Sequence, residues 1–245
     1  MPLALREVLH DSEWNELIQC EHESYLDPFN GVYTLFRPNQ SRDDRGREGF
    51  KELRDRQLSW HKNDPTSRWF KVVDTDIGDK VVGGACWNTF TENPYPEVKE
   101  HPMEAMWWPE GEPRAFANKL LDEWLCPRYH KMARPHMLLA ILYVHPEHRR
   151  RGVASKLIGW GFDKADELGI ESIVEATAEG RSCYEANGFR YMHTFHMDPT
   201  KNNPSPTWLA LEKELQTPIP LFLMWRPKGG KFVEGETEVP PPLLG

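Results

Sequence analysis

Three consecutive arginines and a glycine follow closely after the most apolar run of the sequence. The run spans Met137–Val144, and the basic segment is Arg149–Gly152. The run has the length of a strand buried on both faces, and Val153–Asp166 places apolar residues at helical spacing. A helix N-terminus presents free backbone N–H groups and the positive end of the helix dipole, and glycine permits close approach of a ligand. The segment therefore predicts a site for a phosphate or diphosphate group.

The spacing of these residues differs from two common phosphate-binding motifs, the Walker loop and the three-glycine dinucleotide fingerprint. Arg149–Ala154 has the pattern Arg-x-x-Gly-x-Ala, which resembles the acetyl-coenzyme A (acetyl-CoA) signature of the GCN5-related N-acetyltransferase (GNAT) family. Tyr184–Phe189 has the pattern Tyr-x-x-x-Gly-Phe, which resembles a second hallmark of that family, a helix end before a strand. The two motifs occur in order, with one predicted helix and one predicted strand between them.

The resemblance implies an α/β (α+β) fold in which helices flank a mixed β-sheet that splays at its centre. It implies a single domain over residues 1–232, with an insertion at about residues 91–135 and a flexible C-terminal tail at 233–245. The donor would be acetyl-CoA, whose pantetheine arm enters the gap between the two central strands. The residues expected to bind it are Leu142, Tyr143, Val144, Arg149, Arg150, Arg151, Gly152, Val153, Ala154 and Ser155.

Acetyl transfer to an amine needs a neutral amine, a hydrogen-bond donor for the developing oxyanion and a proton for the departing thiolate. By resemblance, Tyr184 is the candidate general acid, and the Val144 N–H is the donor that polarises the carbonyl. The alternative role for Tyr184 is packing, either in the pocket wall or on the adenine side.

Glu175 is the candidate catalytic base, because it resembles a strand carboxylate used as the base in some members of the family. The turn from Glu175 to Tyr184 is shorter here than in those members. The alternative is that Glu175 is a salt-bridged strand residue. In that case a water relay, His145 or a carboxylate on the early helices would serve as the base.

Residues 91–135 form an unusually long connection between two predicted neighbouring strands. An aromatic patch, Met106–Pro109, precedes a helix predicted over Pro113–Met132. We expect this insertion to cover the acceptor pocket, with Trp107 and Trp108 binding the acceptor. The alternative is that both tryptophans only anchor the insertion to the core.

The rest of the chain supplies the elements that must position these residues. Helices are predicted over Glu13–Tyr25, Asp43–His61, Val153–Leu168 and Arg181–Ala186. Strands are predicted over Leu3–Leu9, Arg68–Asp74, Val81–Phe90, Met137–Val144, Ser172–Thr177, Arg190–Met197 and Leu221–Trp225. The small residues Gly83, Gly84 and Ala85 indicate either tight packing or room for a ligand.

The composition is typical of a soluble protein, with 39% hydrophobic and 28% charged residues. A formal net charge of −8 argues against broad binding of nucleic acid or anionic membranes and leaves room for a cationic acceptor. No N-terminal segment resembles a signal peptide, so a cytoplasmic or nuclear location is expected. The four cysteines are widely spaced and are predicted to be free thiols. His130, His136 and His145 lack metal-ligand spacing, and no metal is expected.

Two classes of function are compatible with these observations. The first is an acetyl-CoA-dependent N-acetyltransferase, monomer or homodimer, that acetylates a primary amine by direct transfer in a ternary complex. Its acceptor is expected to be a small molecule, with a peptide or protein amine as the alternative. The second class is a non-catalytic CoA-binding or sensing module. The spacing within Trp160–Tyr184 resembles a fungal subgroup of undefined acceptor, so it does not narrow the substrate.

Overall fold

The computed structural model describes residues 2–38 and 47–240, which contain seven strands and eight α-helices. The strands are β1 (Leu3–Glu7), β2 (Ser67–Asp74), β3 (Lys80–Phe90), β4 (His136–Val144), β5 (Glu171–Ala176), β6 (Arg190–Met197) and β7 (Ile219–Arg226). The helices are α1 (Trp14–Tyr25), α2 (Gly31–Phe36), α3 (Arg47–Asn63), α4 (Glu112–Leu125), α5 (Arg128–Lys131), α6 (Val153–Leu168), α7 (Ala178–Ala186) and α8 (Pro206–Leu215). No described helix is both long enough and apolar enough to cross a membrane.

All seven strands form one sheet in the order β1-β2-β3-β4-β5-β7-β6. Neighbouring strands are antiparallel except β4 and β5, which are parallel and are joined through α6. Strands β4 and β5 pair over only four residues each, from His136 opposite Glu171 to Leu139 opposite Val174. Beyond Leu139 the two strands separate, so the sheet splays at its centre, as the family resemblance implies.

One extra residue in β4 marks the point where the strands begin to diverge. Cys86 of β3 pairs with Ile141 and Trp87 pairs with Leu139, which leaves Ala140 as a bulge. A bulge bends its strand and increases the local twist. The bulge therefore turns the end of β4 away from β5.

The sheet face that carries α6 and α7 holds the largest hydrophobic core. Val153, Leu157 and Ile158 of α6 are at most 1% exposed and pack there against β2, β3 and β4. A Cβ at Gly83 would lie 2.6 Å from a methyl carbon of Val153, and a Cβ at Gly84 would clash with the Tyr143 hydroxyl. The small residues of β3 therefore allow close packing.

Helices α1 and α3 cover the opposite face of the sheet. Trp14, Leu17 and Ile18 of α1 and Leu53 of α3 are at most 1% exposed, and they share a core with β2 and β4. Burial of each such aliphatic side chain contributes about 2 kcal/mol to stability. This packing fixes α1 across the end of β4, where the two central strands diverge.

The insertion shares a further core with α2 and α8. Its buried members include Leu35 of α2, Phe116 and Leu120 of α4, and Trp208 and Leu215 of α8. The Phe116 and Trp208 rings make an edge contact, with their centroids 4.9 Å apart. The apolar face of the insertion thus packs against α2 and α8.

Several predicted elements have different bounds in the structure. The helix predicted over Pro113–Met132 is two helices, α4 and α5, because Pro127 lacks the N–H that a continuous helix needs. Helices α2 and α8 were not predicted. The predicted turn at residues 178–180 is instead the first turn of α7. Helix α3 begins at Arg47 where a start at Asp43 was predicted, and residues 43–46 lie outside the described residues.

The segment predicted as a flexible tail begins at residue 233, and its last five residues lie outside the described chain. Within the described part, the Val233 N–H donates to the Thr237 hydroxyl at 2.8 Å. Glu238 also lies 3.7 Å from the guanidinium of Arg134. The flexibility of the tail stays a prediction.

Candidate functional site

The loop between β4 and α6 exposes a set of unpaired backbone donors. Gly152 precedes α6 with φ 84° and ψ 10°, and no side chain caps the helix. Arg150 also has positive φ, at 59°. Among the described residues, the N–H groups of Arg150, Arg151 and Gly152 have no acceptor. The first turn of α6 adds the free N–H groups of Val153 and Ala154, since helix N-termini leave these donors unpaired. The loop is therefore built to bind an anion.

The three arginines of this loop have different partners. Arg149 donates to the Ser24 carbonyl at 2.9 Å and to the Val144 carbonyl at 3.3 Å, which ties the loop to the end of α1. Arg151 donates to the Asp74 carboxylate at 2.8 Å. The guanidinium of Arg151 lowers the pKa of Asp74. Arg150 is exposed and has no side-chain partner in the described part of the chain. Arg150 is thus the cation left free for a ligand, and Ser155 is exposed beside it in the first turn of α6.

The end of β4 presents a strand edge to the gap beside β5. Leu142, Tyr143 and Val144 pair with β3 on one side, and β5 does not pair with them on the other. The Tyr25 hydroxyl donates to the Leu142 carbonyl at 3.0 Å, so α1 closes over this edge. The Tyr143 side chain points into the core, where its hydroxyl donates to the Leu17 carbonyl at 2.9 Å. The edge therefore offers backbone groups to an extended ligand.

Tyr184 lies on α7 in the same core as Leu142 and Val144. Its ring packs edge-on against Phe189, with a centroid distance of 5.7 Å. Its hydroxyl has no hydrogen-bond partner among the residues that the structure describes. Burial raises the pKa of Tyr184, so the hydroxyl keeps its proton at neutral pH. Tyr184 is therefore a neutral hydroxyl that retains a proton it can donate.

The structure places Glu175 in a buried ion pair. Its carboxylate, 4% exposed, accepts from Arg128 at 2.5 Å and from the Trp124 indole N–H at 2.6 Å. Burial alone would lower the pKa of Arg128, but the charges of Glu175 and Tyr95 raise it above its usual value. Glu175 thus connects β5 to the insertion, which is the salt-bridged role considered as the alternative to catalysis.

Replacing Arg128 with methionine is expected to lower the free energy of unfolding by about 3–5 kcal/mol, because Glu175 would be left buried and unpaired. Chemical denaturation monitored by circular dichroism measures this change. The control is Arg6→Met, which removes an ion pair whose side chains, Arg6 and Asp79, are 44% and 50% exposed. Loss of that pair should cost at most about 1 kcal/mol. Equal losses in the two variants would contradict the structural role of Arg128.

Trp107 and Trp108 both attach the insertion to α2. Their indole N–H groups donate to the Leu35 carbonyl at 2.8 and 2.7 Å. Trp108 is buried in the core shared with α8. Trp107 is only partly buried, and its ring stacks on Phe36 at 5.5 Å between centroids. Both therefore serve as anchors, and the Trp107 ring also contacts the Trp60 ring, with 5.5 Å between centroids.

A buried carboxylate on α1, Glu21, lies one helical turn before Tyr25. It is 3% exposed, and its Oε1 accepts from the Gln57 amide at 3.0 Å. Burial raises the pKa of Glu21 to about 7, although the guanidinium groups of Arg37 and Arg56 act in the opposite direction. Sequence reasoning named the early helices only in general terms as a source of a base. The burial of Glu21 arises from packing between α1 and α3, which carries no local sequence signal.

Three potential metal ligands, His145, Glu147 and His148, have ligand atoms within 4.8 Å of one another. The Glu147 N–H already donates to Nδ1 of His145 at 3.3 Å. Arg151 lies 2.5 Å from Nδ1 of His148. The neighbouring guanidinium also repels a cation, so this group is a poor metal site.

Several solved structures of acetyltransferases have a similar fold. Arylalkylamine N-acetyltransferase 2 from Aedes aegypti has a TM-score of 0.60 and 15% identity, over 92% of this chain and 99% of that chain. A histone acetyltransferase HPA2-related protein from Corynebacterium glutamicum has a TM-score of 0.56 and 15% identity, over 96% and 99%. Polyamine N-acetyltransferase from Drosophila melanogaster has a TM-score of 0.55 and 12% identity, over 91% and 98%. At these identities the likeness shows the fold.

The sequence profile of the Acetyltransferase (GNAT) family matches residues 29–189. No curated protein sequence is significantly similar to the chain. The profile covers more than half of the chain and includes both the Arg149–Ala154 loop and Tyr184. The chain therefore belongs to the GNAT family and is an acyltransferase of the N-acetyltransferase type.

Proposed function

We propose that the protein transfers an acetyl group from acetyl-CoA to a primary amine of a small molecule. The observation that supports this proposal best is the pairing of two features across one gap. The uncapped N-terminus of α6 offers donors for a diphosphate, and the free edge of β4 offers backbone partners for the amides of a pantetheine arm. The family resemblance implies direct transfer within a ternary complex, without an acyl-enzyme intermediate.

The hydrogen-bond donors without a described partner in the loop before α6 are the groups that would hold acetyl-CoA. The N–H groups from Arg150 to Ala154 and the Arg150 side chain would bind the diphosphate. Arg149 and Arg151 would position the loop through Ser24 and Asp74. The cationic and neutral donors of the loop match the charge and hydrogen-bonding capacity of a diphosphate.

The transfer step needs three functions from the protein. The amine nitrogen attacks the thioester carbonyl, the new C–N bond forms, and the C–S bond breaks. The amine gives its proton to a base, and the departing thiolate takes the proton of the Tyr184 hydroxyl. The Val144 N–H would stabilise the oxyanion that forms in between. Glu21 and Glu175 are the two carboxylates considered as the base, beside His145 or a water relay. The ion pair of Glu175 with Arg128 favours Glu21 over Glu175.

The activity should rise with pH through a midpoint near the Glu21 pKa of about 7, because only the ionised carboxylate accepts a proton. Gln57, Arg37 and Arg56 face Glu21, and the Tyr25 and Tyr33 hydroxyls also lie near it. Burial raises the pKa of Tyr25. The tyrosines therefore stay neutral over this range.

The pH profile of kcat/KM tests this assignment. Glu21→Gln should abolish the rise near neutral pH, whereas Glu16→Gln, an exposed change on the same helix, should keep it. A rise that disappears in Glu175→Gln and persists in Glu21→Gln would assign the base to Glu175 instead.

Replacing Arg150 with glutamine should weaken CoA binding about tenfold or more, because a charged hydrogen bond to the diphosphate is lost. Its effect on thermal stability should be small, since Arg150 contacts no described side chain. Arg149→Gln should instead lower the melting temperature, because Arg149 holds the end of α1. Calorimetric titration and thermal melts separate the two effects, and unchanged CoA affinity in Arg150→Gln would argue against the proposed cradle.

The named small-amine acetyltransferases among the structural relatives, such as the arylalkylamine and polyamine enzymes, agree with a small acceptor. The packing of the insertion against α2 also favours an enclosed acceptor over an open groove for a protein chain.

Release of free thiol from acetyl-CoA, measured against a panel of amines, tests the proposed function. We expect turnover with at least one small primary amine. CoA binding without turnover on any small amine or peptide would support a sensing module in place of an enzyme.

A further inference from the structure

Three buried polar side chains and one partly buried arginine lie where α1, α2 and α3 meet. We name them the polar cluster: Glu21, Arg37, Arg56 and Gln57. Glu21 and Arg37 are 3% exposed and Gln57 is 5% exposed. The charges of both arginines act on the Glu21 carboxylate. The polar cluster is thus a compact group of opposite charges taken out of water.

Each member of the polar cluster keeps one buried atom without a hydrogen-bond partner in the described part of the chain. The atoms are Glu21 Oε2, Gln57 Oε1, Arg37 Nε and Arg56 Nε. Buried polar atoms in proteins are nearly always paired. Two unpaired acceptors and two unpaired donors in one place therefore indicate a ligand that carries both donors and acceptors.

We propose that the acceptor is an amino acid whose ammonium and carboxylate groups both bind the polar cluster. This inference rests on the proposed function and names its substrate class. The ammonium matches the free acceptors of Glu21 and Gln57. The carboxylate matches the free N–H groups of Arg37 and Arg56, which carry the charge that a carboxylate prefers.

Three of the other guanidinium nitrogens hydrogen-bond to the protein, which keeps the two arginines in place before a ligand binds. Arg37 Nη1 donates to the Tyr33 hydroxyl at 3.0 Å. Arg56 donates to the Phe36 carbonyl and, at 3.3 Å, to Glu52. Such preorganised donors lower the cost of ordering the site on binding.

The polar cluster lies on the path to the reacting carbonyl. Glu21 and Tyr25 are one helical turn apart on α1, so their side chains share a face. The Tyr25 hydroxyl contacts the Leu142 carbonyl at the free edge of β4. An amino group bound at Glu21 therefore faces the gap in which the thioester is proposed to lie.

Four aromatic rings adjoin the polar cluster and would receive the amino acid side chain. We name Phe36, Trp60, Trp107 and Trp124 the aromatic cluster. Trp107 lies 5.5 Å from both Phe36 and Trp60, between ring centroids. The Arg56 guanidinium lies 4.9 Å from the Trp107 ring centroid and so joins the two clusters. These rings favour an aromatic or large apolar side chain.

The same charges disfavour a second class of acceptor, the polyamines. A polyamine brings two or more cations, and the two arginines of the polar cluster would repel the second one. The formal net charge of −8 suggests a cationic acceptor, but the local charge at the polar cluster is positive, because two arginines face one carboxylate.

Matched acceptor pairs that differ only in the carboxylate test the proposal in the wild-type protein. The pairs are tryptophan with tryptamine, and phenylalanine with phenethylamine; spermidine is a further acceptor. We expect kcat/KM for each amino acid to exceed that for its decarboxylated partner about 30-fold or more, since a buried charge would otherwise be left unpaired. The readout is thiol release from acetyl-CoA.

Variants locate the effect. Arg56→Gln and Arg37→Gln should each reduce the ratio of kcat/KM for the amino acid to kcat/KM for its decarboxylated amine about tenfold or more. Arg54→Gln, on the same helix but paired with Asn15 and Asp55, should keep the preference. Thermal melts identify a variant that fails to fold. In that case the wild-type ratio of kcat/KM for the amino acids to that for their decarboxylated partners tests the proposal.

Each outcome has a distinct meaning. Turnover of the decarboxylated amines or spermidine at rates equal to or above those of the amino acids overturns the inference and leaves the proposed function intact. Absence of thiol release with these five acceptors, but release with another amine of the panel, overturns the inference alone. Absence of release with the whole panel overturns both. A carboxylate preference that survives in both arginine variants overturns the assignment to the polar cluster.

Discussion

Replacement of Gly152 with valine is expected to abolish acetyl-CoA binding while the protein still folds. Gly152 has φ 84° and ψ 10°, a left-handed conformation that a β-branched residue rarely adopts. Relief of that strain turns the neighbouring N–H groups away from the diphosphate. Loss of two hydrogen bonds to a charged group weakens binding about 100-fold or more. No atom lies within 4 Å of an added Cβ, so the substitution creates no clash in the core.

Gly169→Val is the matched control for the strain itself. Gly169 ends α6 with φ 63° and ψ 34°, and an added Cβ there also has no neighbour within 4 Å. Both variants should lose similar stability in chemical denaturation. Only Gly152→Val should lose CoA binding in calorimetric titration. Retained affinity in Gly152→Val would show that the diphosphate binds elsewhere, and equal loss in both variants would show that general destabilisation is responsible.

The centre of the fold was predictable because its signals are local. The apolar run of β4, the basic loop and the periodicity of α6 follow one another in the chain, and Gly169 ends the helix in a left-handed conformation. The splay was implied by the resemblance, and the structure adds its physical cause, the bulge at Ala140. A bulge depends on the register of two strands and is not visible in one of them alone.

The sequence carries local signals for the start of α8. Ser205 caps α8 by accepting from the Trp208 N–H at 3.1 Å, and Pro206 occupies the first turn. Ser-Pro at a helix start is a recognised pattern. Trp208, Leu211 and Leu215 follow at helical spacing, so α8 was predictable. Helix α2 spans only Gly31–Phe36, too short for its periodicity to be decisive.

The roles of individual charged residues were not predictable, because their partners are distant in sequence. The three arginines of the loop look equivalent in the chain, yet Arg151 pairs with Asp74, 77 positions away, and Arg149 with Ser24, 125 positions away. Only the folded arrangement shows that Arg150 has no side-chain partner among the described residues. The same holds for Glu175, whose ion pair with Arg128 spans 47 positions.

Replacement of Tyr184 with phenylalanine is expected to lower kcat about 100-fold or more and to leave CoA affinity nearly unchanged, since loss of a general acid typically costs that much. Phenylalanine keeps the ring contact with Phe189, and the Tyr184 hydroxyl has no described partner to lose. The free energy of unfolding should therefore change little. A separation of kcat from affinity and stability distinguishes an acid from a packing residue.

The control for the loss of a tyrosine hydroxyl is Tyr191→Phe, where an exposed hydroxyl contacts Thr194 at 2.9 Å. That variant should keep full activity. Because burial raises the pKa of Tyr184, the wild-type acid stays protonated at the pH where Glu21 ionises. Both groups are then in their active forms above neutral pH, and the deficit of Tyr184→Phe should persist across that range. Unchanged turnover in Tyr184→Phe would assign the tyrosine to the pocket wall and require another proton source for the thiolate.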